Sequence, residues 1–171
     1  MKKLVILITL VAASLNVFCQ RSPVDDLFDK YNGKEGFTSV FISSKMFSLL
    51  ARIDSEDKDF QNLVTRIKSI KILSIDSATN LTMGINFCNE LKKKLDASGF
   101  EELMTVREED GEVRFMIHEV GGKIAELVMI TAGNGSSVVS ITGDLDLKSI
   151  ASLSDKMGME ELQDLEKVKD K

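Results

Sequence analysis

Apolar and polar positions follow two rhythms along this chain, helical spacing in the first half and strand spacing in the second. Val24, Leu27, Phe28 and Tyr31 recur at helical intervals, so the stretch after Gln20 predicts a lead-in that docks as a helical turn or two. Asn32, Gly33 and Gly36 mark a loop. FTSVFIS, Phe37 to Ser43, is β-branched and aromatic and predicts a strand. Ser43 or Ser44 can cap a following helix whose apolar positions are Met46, Leu49, Leu50 and Ile53. The charged run Asp54 to Asp59 ends it and opens another helix, with Asp59 near the positive end and Phe60, Leu63, Val64 and Ile67 facing inward.

SIKILSI, Ser69 to Ile75, reads as a strand with apolar residues on both sides, the pattern of burial on both faces or of a central position in the sheet. Asn80 is a candidate cap for a longer helix with the stripe Leu81, Ile85, Cys88, Leu91 and Leu95, ended by Gly99. From Glu102 the rhythm changes. LMTVRE, EVRFMIHEV, KIAELVMIT and SSVVSIT are separated by Asp110-Gly111, Gly121-Gly122 and Gly133-Asn134-Gly135, the signature of an antiparallel meander of about four strands. Asp146 can cap a last helix burying Ile150, Leu153 and Met157, and a charged tail with a thin stripe at Leu162 and Leu165 follows.

Together these elements predict an α+β fold, a two-layer sandwich with one mostly antiparallel sheet of about six strands and helices on one face. Residues 20–36 form the N-terminal lead-in, 37–159 a single domain and 160–171 the charged C-terminal tail.

The first nineteen residues stand apart. Lys2 and Lys3 precede an apolar run from Leu4 to Ala13 broken only by Thr9, and a more polar hinge leads to Phe18 and Cys19: the order of a secretory signal peptide, residues 1–19. The run is shorter than the roughly 20 residues a spanning helix needs, and no second one follows, so no transmembrane helix is expected in the mature protein. Cleavage after Cys19 puts Val17 and Cys19 at the two positions that favour small residues. The alternative is a lipoprotein anchored through Cys19, although Phe18 and Asn16 stand where a small residue and a leucine are wanted. The expected location is therefore the periplasm, with an outer-membrane lipoprotein as the alternative.

Losing Lys2 and Lys3 takes the formal charge from −5 to −7, which disfavours nucleic acid and anionic lipid surfaces. Cys19 and Cys88 are the only two cysteines, so an exported chain of this length relies on packing rather than disulfides.

Candidate chemistry is sparse. Cys88 lies in an apolar helical stripe, where a thiol behaves as a small hydrophobe; a nucleophile would need a base and access. His118, the only histidine, lies on a strand with Arg114 and Met116 on its side, and as a general base it lacks a partner motif. GDLD, Gly143 to Asp146, pairs carboxylates at alternate positions, but the calcium-loop template wants an oxygen ligand at Lys148, a glycine at Ser149 and a Glu at Asp155. DSEDKD and REEDGE depart from the same template and read as solvated loops. GNGSS, Gly133 to Ser137, runs from strand to strand without the lysine of a phosphate loop and reads as a hairpin turn. These patterns assign no catalytic, cofactor-binding or metal-binding residue and imply no cofactor. If helices cover one face only, the other presents Arg114, Met116, His118, Ser140 and Thr142, either an ordinary solvated face or a partner surface.

LFDKYNGKEGFTSVFISSKM, ELVMITAG and VSITGDLDLKSIASL together resemble the domain of unknown function 4252 family of secreted Bacteroidetes proteins, over roughly Asp25 to Met159. The resemblance implies export in a Gram-negative cell and one small α/β-type domain, and it brings no catalytic residue. The expectation is an exported, non-enzymatic periplasmic or envelope-associated domain that binds an envelope or periplasmic protein or ligand. A small hydrolase or transferase using His118, and the Cys19 lipoprotein, are the alternatives.

Overall fold

In a computed structural model that describes residues 21–53 and 58–146, the described chain forms five helices and six strands. Helix α1 (Pro23–Tyr31) starts at Ser22, whose hydroxyl accepts from the Val24 N–H; Pro23 occupies the first turn and Asp25 and Asp26 face the positive end. It is a full helix of nine residues rather than a turn or two, and the expected stripe Val24, Leu27, Phe28 and Tyr31 is buried.

Strand β1 (Phe37–Ser43) runs directly into α2 (Ser44–Ile53). The expected face of α2 is corrected: Phe47, with Leu50 and Ala51, packs on the sheet, while Met46 and Leu49 are exposed. The helix is turned by about one residue, ~100°, because burying Phe47 removes more apolar surface from water than burying Met46 would. Phe60, Leu63 and Val64 of α3 (Lys58–Arg66) face the same core, and Ile67 already belongs to β2 (Ile67–Ile75). Residues 54–57 and the side chains of Ile53 and Asp59 lie outside the described part.

The single long helix expected after Asn80 is two. Asp76 caps α4 (Ser77–Met83), which stops at Gly84 with φ 62°, and Asn86 caps α5 (Phe87–Ala97). Asn80 is no cap; it is buried, accepts from the Ile85 N–H and donates to the Asn134 carbonyl. Leu81 is consequently 80% exposed, while Phe87, Leu91 and Leu95 of α5 are fully buried.

The meander follows as expected: β3 (Glu101–Arg107), β4 (Glu112–Val120), β5 (Lys123–Ala132) and β6 (Ser136–Leu145). All pairings are antiparallel and the sheet order is β1-β2-β6-β5-β4-β3. The α4–α5 connection carries the chain from β2 to the far margin, and the meander walks back until β6 pairs with β2. The helix expected after Asp146 and the charged tail lie outside the described residues.

The sheet is antiparallel and six-stranded, but helices on one face only is not what forms. One core joins Phe47, Leu63 and Val64 to Ile70, Phe115, Leu127, Met129 and Ile141. A second joins α1 and α5, through Leu27, Phe28, Phe87, Leu91 and Leu95, to Leu73, Met116, Val128, Ile130 and Val138. Alternate residues of β2, β4, β5 and β6 therefore feed opposite cores, and each needs cover. The two-sided pattern of SIKILSI reports this directly.

Candidate functional site

The α1/α5 side of the sheet collects most of the polar residues the sequence singles out. Arg114 and Ser140 are buried there with Met116, so this face is no open solvated surface. The Arg114 guanidinium is held by Glu112, at 3.1 and 3.2 Å, and by Glu102 at 2.5 Å. Side-chain bonds from Arg114, with burial opposing and Arg107 assisting, keep the Glu112 carboxyl below its usual range. Cys88 lies buried beside this pair. Burial, reinforced by the Glu112 charge, pushes its thiol up to about 12, so it packs as a hydrophobe rather than as a nucleophile.

Glu126 is a buried acid that spacing does not single out. It is 6% exposed, and its Oε1 accepts from Ser140 Oγ at 2.6 Å and from Ser22 Oγ at 3.0 Å. Burial raises its pKa against those two hydrogen bonds. The only sequence signal is a charge within the apolar run of KIAELVMIT; the partner Ser22 lies 104 residues away. Nearby, Lys71 bonds Asp25 and stands 5.8 Å from the Phe28 ring and 5.9 Å from the Phe41 ring.

His118 pairs across the strands with Glu126, and its ring stacks on Phe100 at 5.2 Å between centroids. The acid opposite is thus occupied by Ser140 and Ser22. Thr142 faces Ser69, hydroxyl to hydroxyl at 2.8 Å.

The carboxylates of GDLD each have a cation: Asp144 takes Lys123 and Asp146 takes Arg66, both at 2.6 Å. Among the described residues no group of three or more His, Cys, Asp or Glu could hold a metal ion. GNGSS forms the β5–β6 turn, where the Ser136 hydroxyl donates to the Thr131 carbonyl and accepts from the Phe87 N–H. A cavity of about 290 Å³ opens beside this turn, lined by Val106, Glu108, Glu112 and Thr131. Its floor is tight: a Cβ on Gly111 would stand 2.6 Å from the Ala132 oxygen, and one on Gly133 2.6 Å from the Asp110 oxygen.

The two margins of the sheet, with which no further described strand pairs, differ in character. β3 carries Glu101, Glu102 and Arg107 and has a register break between Glu102 and Met104, the features that discourage further pairing. β1 carries no charge and no proline, and pairs with β2 in unbroken register from Phe37 to Ser43. On its α2 side Val40 is 39% exposed, with Met46 and Leu49 of α2 exposed at 49% and 46%. On its other side Phe41 is 58% exposed. Four of the seven large exposed hydrophobics among the described residues thus belong to β1 and α2. Sequence reasoning reads FTSVFIS as a strand but cannot see that it is an edge, because strand order is a long-range property.

No helix among the described residues is long and apolar enough to cross a membrane. No curated protein and no solved structure matches the chain. The model of the family described as "Domain of unknown function (DUF4252)" matches residues 31–153, from the last residue of α1 to beyond the end of β6. The chain belongs to that family.

Proposed function

We propose that this protein is an exported, non-enzymatic domain of the periplasm or cell envelope that works by binding, and that it takes an extended protein segment along β1. The observation that carries this reading is the contrast between the margins: β3 is charged and broken in register, whereas β1 is uncharged, continuous and flanked by exposed Val40, Phe41, Met46 and Leu49. An edge strand offers a row of backbone N–H and C=O groups, and alternate side chains beside it supply apolar contact. Export rests on the signal-peptide pattern of residues 1–19. Cleavage after Cys19 leaves the protein free in the periplasm.

The reactive groups support binding over chemistry. The Cys88 thiol is buried and held protonated, Arg114 and Glu112 hold one another, and Glu126 is bonded by two serines.

The test is capture by immobilised protein from the envelope extract of cells that also make an untagged copy, comparing wild type with Val40→Lys. Selective capture lost in Val40→Lys is the expected result. Equal capture by both, or no capture together with substrate turnover that His118→Ala abolishes, overturns the reading.

A further inference from the structure

The residues flanking β1 are complementary under a two-fold rotation about Val40. Glu35 precedes Val40 by five residues and Lys45 follows it by five. Both are exposed, and neither forms an ion pair among the described residues. If β1 pairs antiparallel with its own copy and Val40 meets Val40, then Thr38 meets Ile42, Ser39 meets Phe41 and Phe37 meets Ser43. Just beyond the strand ends, Glu35, in the turn before β1 of each copy, and Lys45, in the first turn of α2 of the other, then fall at the same end of the paired strands.

We infer that the occupant of the β1 edge is a second copy of this chain, paired antiparallel about Val40 so that the two sheets join into one. This rests on the reading of β1 as the binding margin and names its partner.

Three observations point to a copy rather than an unrelated strand. A closed two-fold contact must be self-complementary, and β1 is: it has no charge to meet its own image, while its flanking charges meet their opposites. The exposed apolar residues are distributed to match. Val40 stands on the axis on the α2 side, with Met46 and Leu49 on that same side, and Phe41 flanks the axis on the other. Finally, the uninterrupted register with β2 keeps the outer side of β1 regular, as a continuous ladder requires. In a chain whose net charge is −5, and −7 once Lys2 and Lys3 are cleaved off, an uncharged patch bracketed by one acid and one base is also where two copies approach with least repulsion.

The test uses protein purified after export from the expressing cells. Light scattering across a dilution series should give twice the mass of the single chain, falling to one on dilution. Val40→Lys should weaken association at least tenfold. Glu35→Lys, which sets lysine against Lys45 of the other copy, should weaken it several-fold, and the double change Glu35→Lys with Lys45→Glu should restore it. That restoration separates charge pairing from any loss of fold, which circular dichroism checks in parallel. A single-chain mass at every concentration, or a dimer indifferent to both Val40→Lys and Glu35→Lys, overturns the inference. A single-chain protein that still captures another envelope protein in a Val40-dependent way overturns the inference while leaving the β1 margin as a binding site. Self-association weakened by Val40→Lys, with foreign capture that Val40→Lys leaves intact, supports the inference and removes any other partner from β1.

Discussion

Met46 and Phe47 are neighbours on α2 and face opposite environments: Phe47 is 1% exposed in the core between α2, α3 and the sheet, and Met46 is 49% exposed on the side of the sheet that Val40 occupies. Phe47→Ala should therefore cost about 3–5 kcal/mol of stability, whereas Met46→Ser should change it by less than about 0.5 kcal/mol. Urea unfolding of dilute protein measures both. The pair also separates stability from binding, because Met46→Ser should weaken capture along β1 in a protein that folds normally.

Glu126 should make stability fall as pH rises. Burial holds its folded pKa above the unfolded value near 4.3, so the protonated form is favoured in the folded state. Its contribution is fully present below the unfolded pKa and is lost as pH rises through the folded one. Glu126→Gln keeps an oxygen to accept from Ser140 and Ser22 and removes the titration. Melting temperatures across pH 4–8 should show a flatter profile for the variant than for wild type.

Gly111 and Gly133 bring two hairpin ends together backbone to backbone, each with room for a hydrogen and not for a methyl. Gly111→Ala and Gly133→Ala should each cost about 1–3 kcal/mol. The expected signature is a lower urea midpoint with an unchanged slope.

Cys88 should be silent to thiol reagents in the folded protein, since its pKa is pushed up to about 12 and its side chain is buried. In the protein purified after export, cleaved after Cys19, labelling of Cys88 at pH 8 should be at least about 100-fold slower in native buffer than in denaturant. Rapid native labelling would contradict the packing role.

The hairpins are legible in the sequence because glycine turns and alternation are local, and β3 to β6 lie where LMTVRE, EVRFMIHEV, KIAELVMIT and SSVVSIT place them. Helix phase is less legible. Met46-Phe47 and Leu49-Leu50-Ala51 offer two apolar stripes, and only the sheet beneath decides between them. The break at Gly84 has a visible glycine, yet Asn80 reads as a cap until its side chain is seen accepting from Ile85. Cover on both faces follows from SIKILSI once the order of strands puts β2 inside the sheet. Glu126 with Ser22, and β1 as the margin of the described sheet, depend on contacts between distant parts of the chain, so no local pattern announces them.

The most direct measurement is crosslinking in living cells from a photoreactive side chain placed at Val40, with Leu81, 80% exposed on α4, as the control. We expect a discrete adduct from position 40, of twice the chain's mass, and none from position 81. Adducts from both positions alike, or none from position 40, would contradict binding along β1.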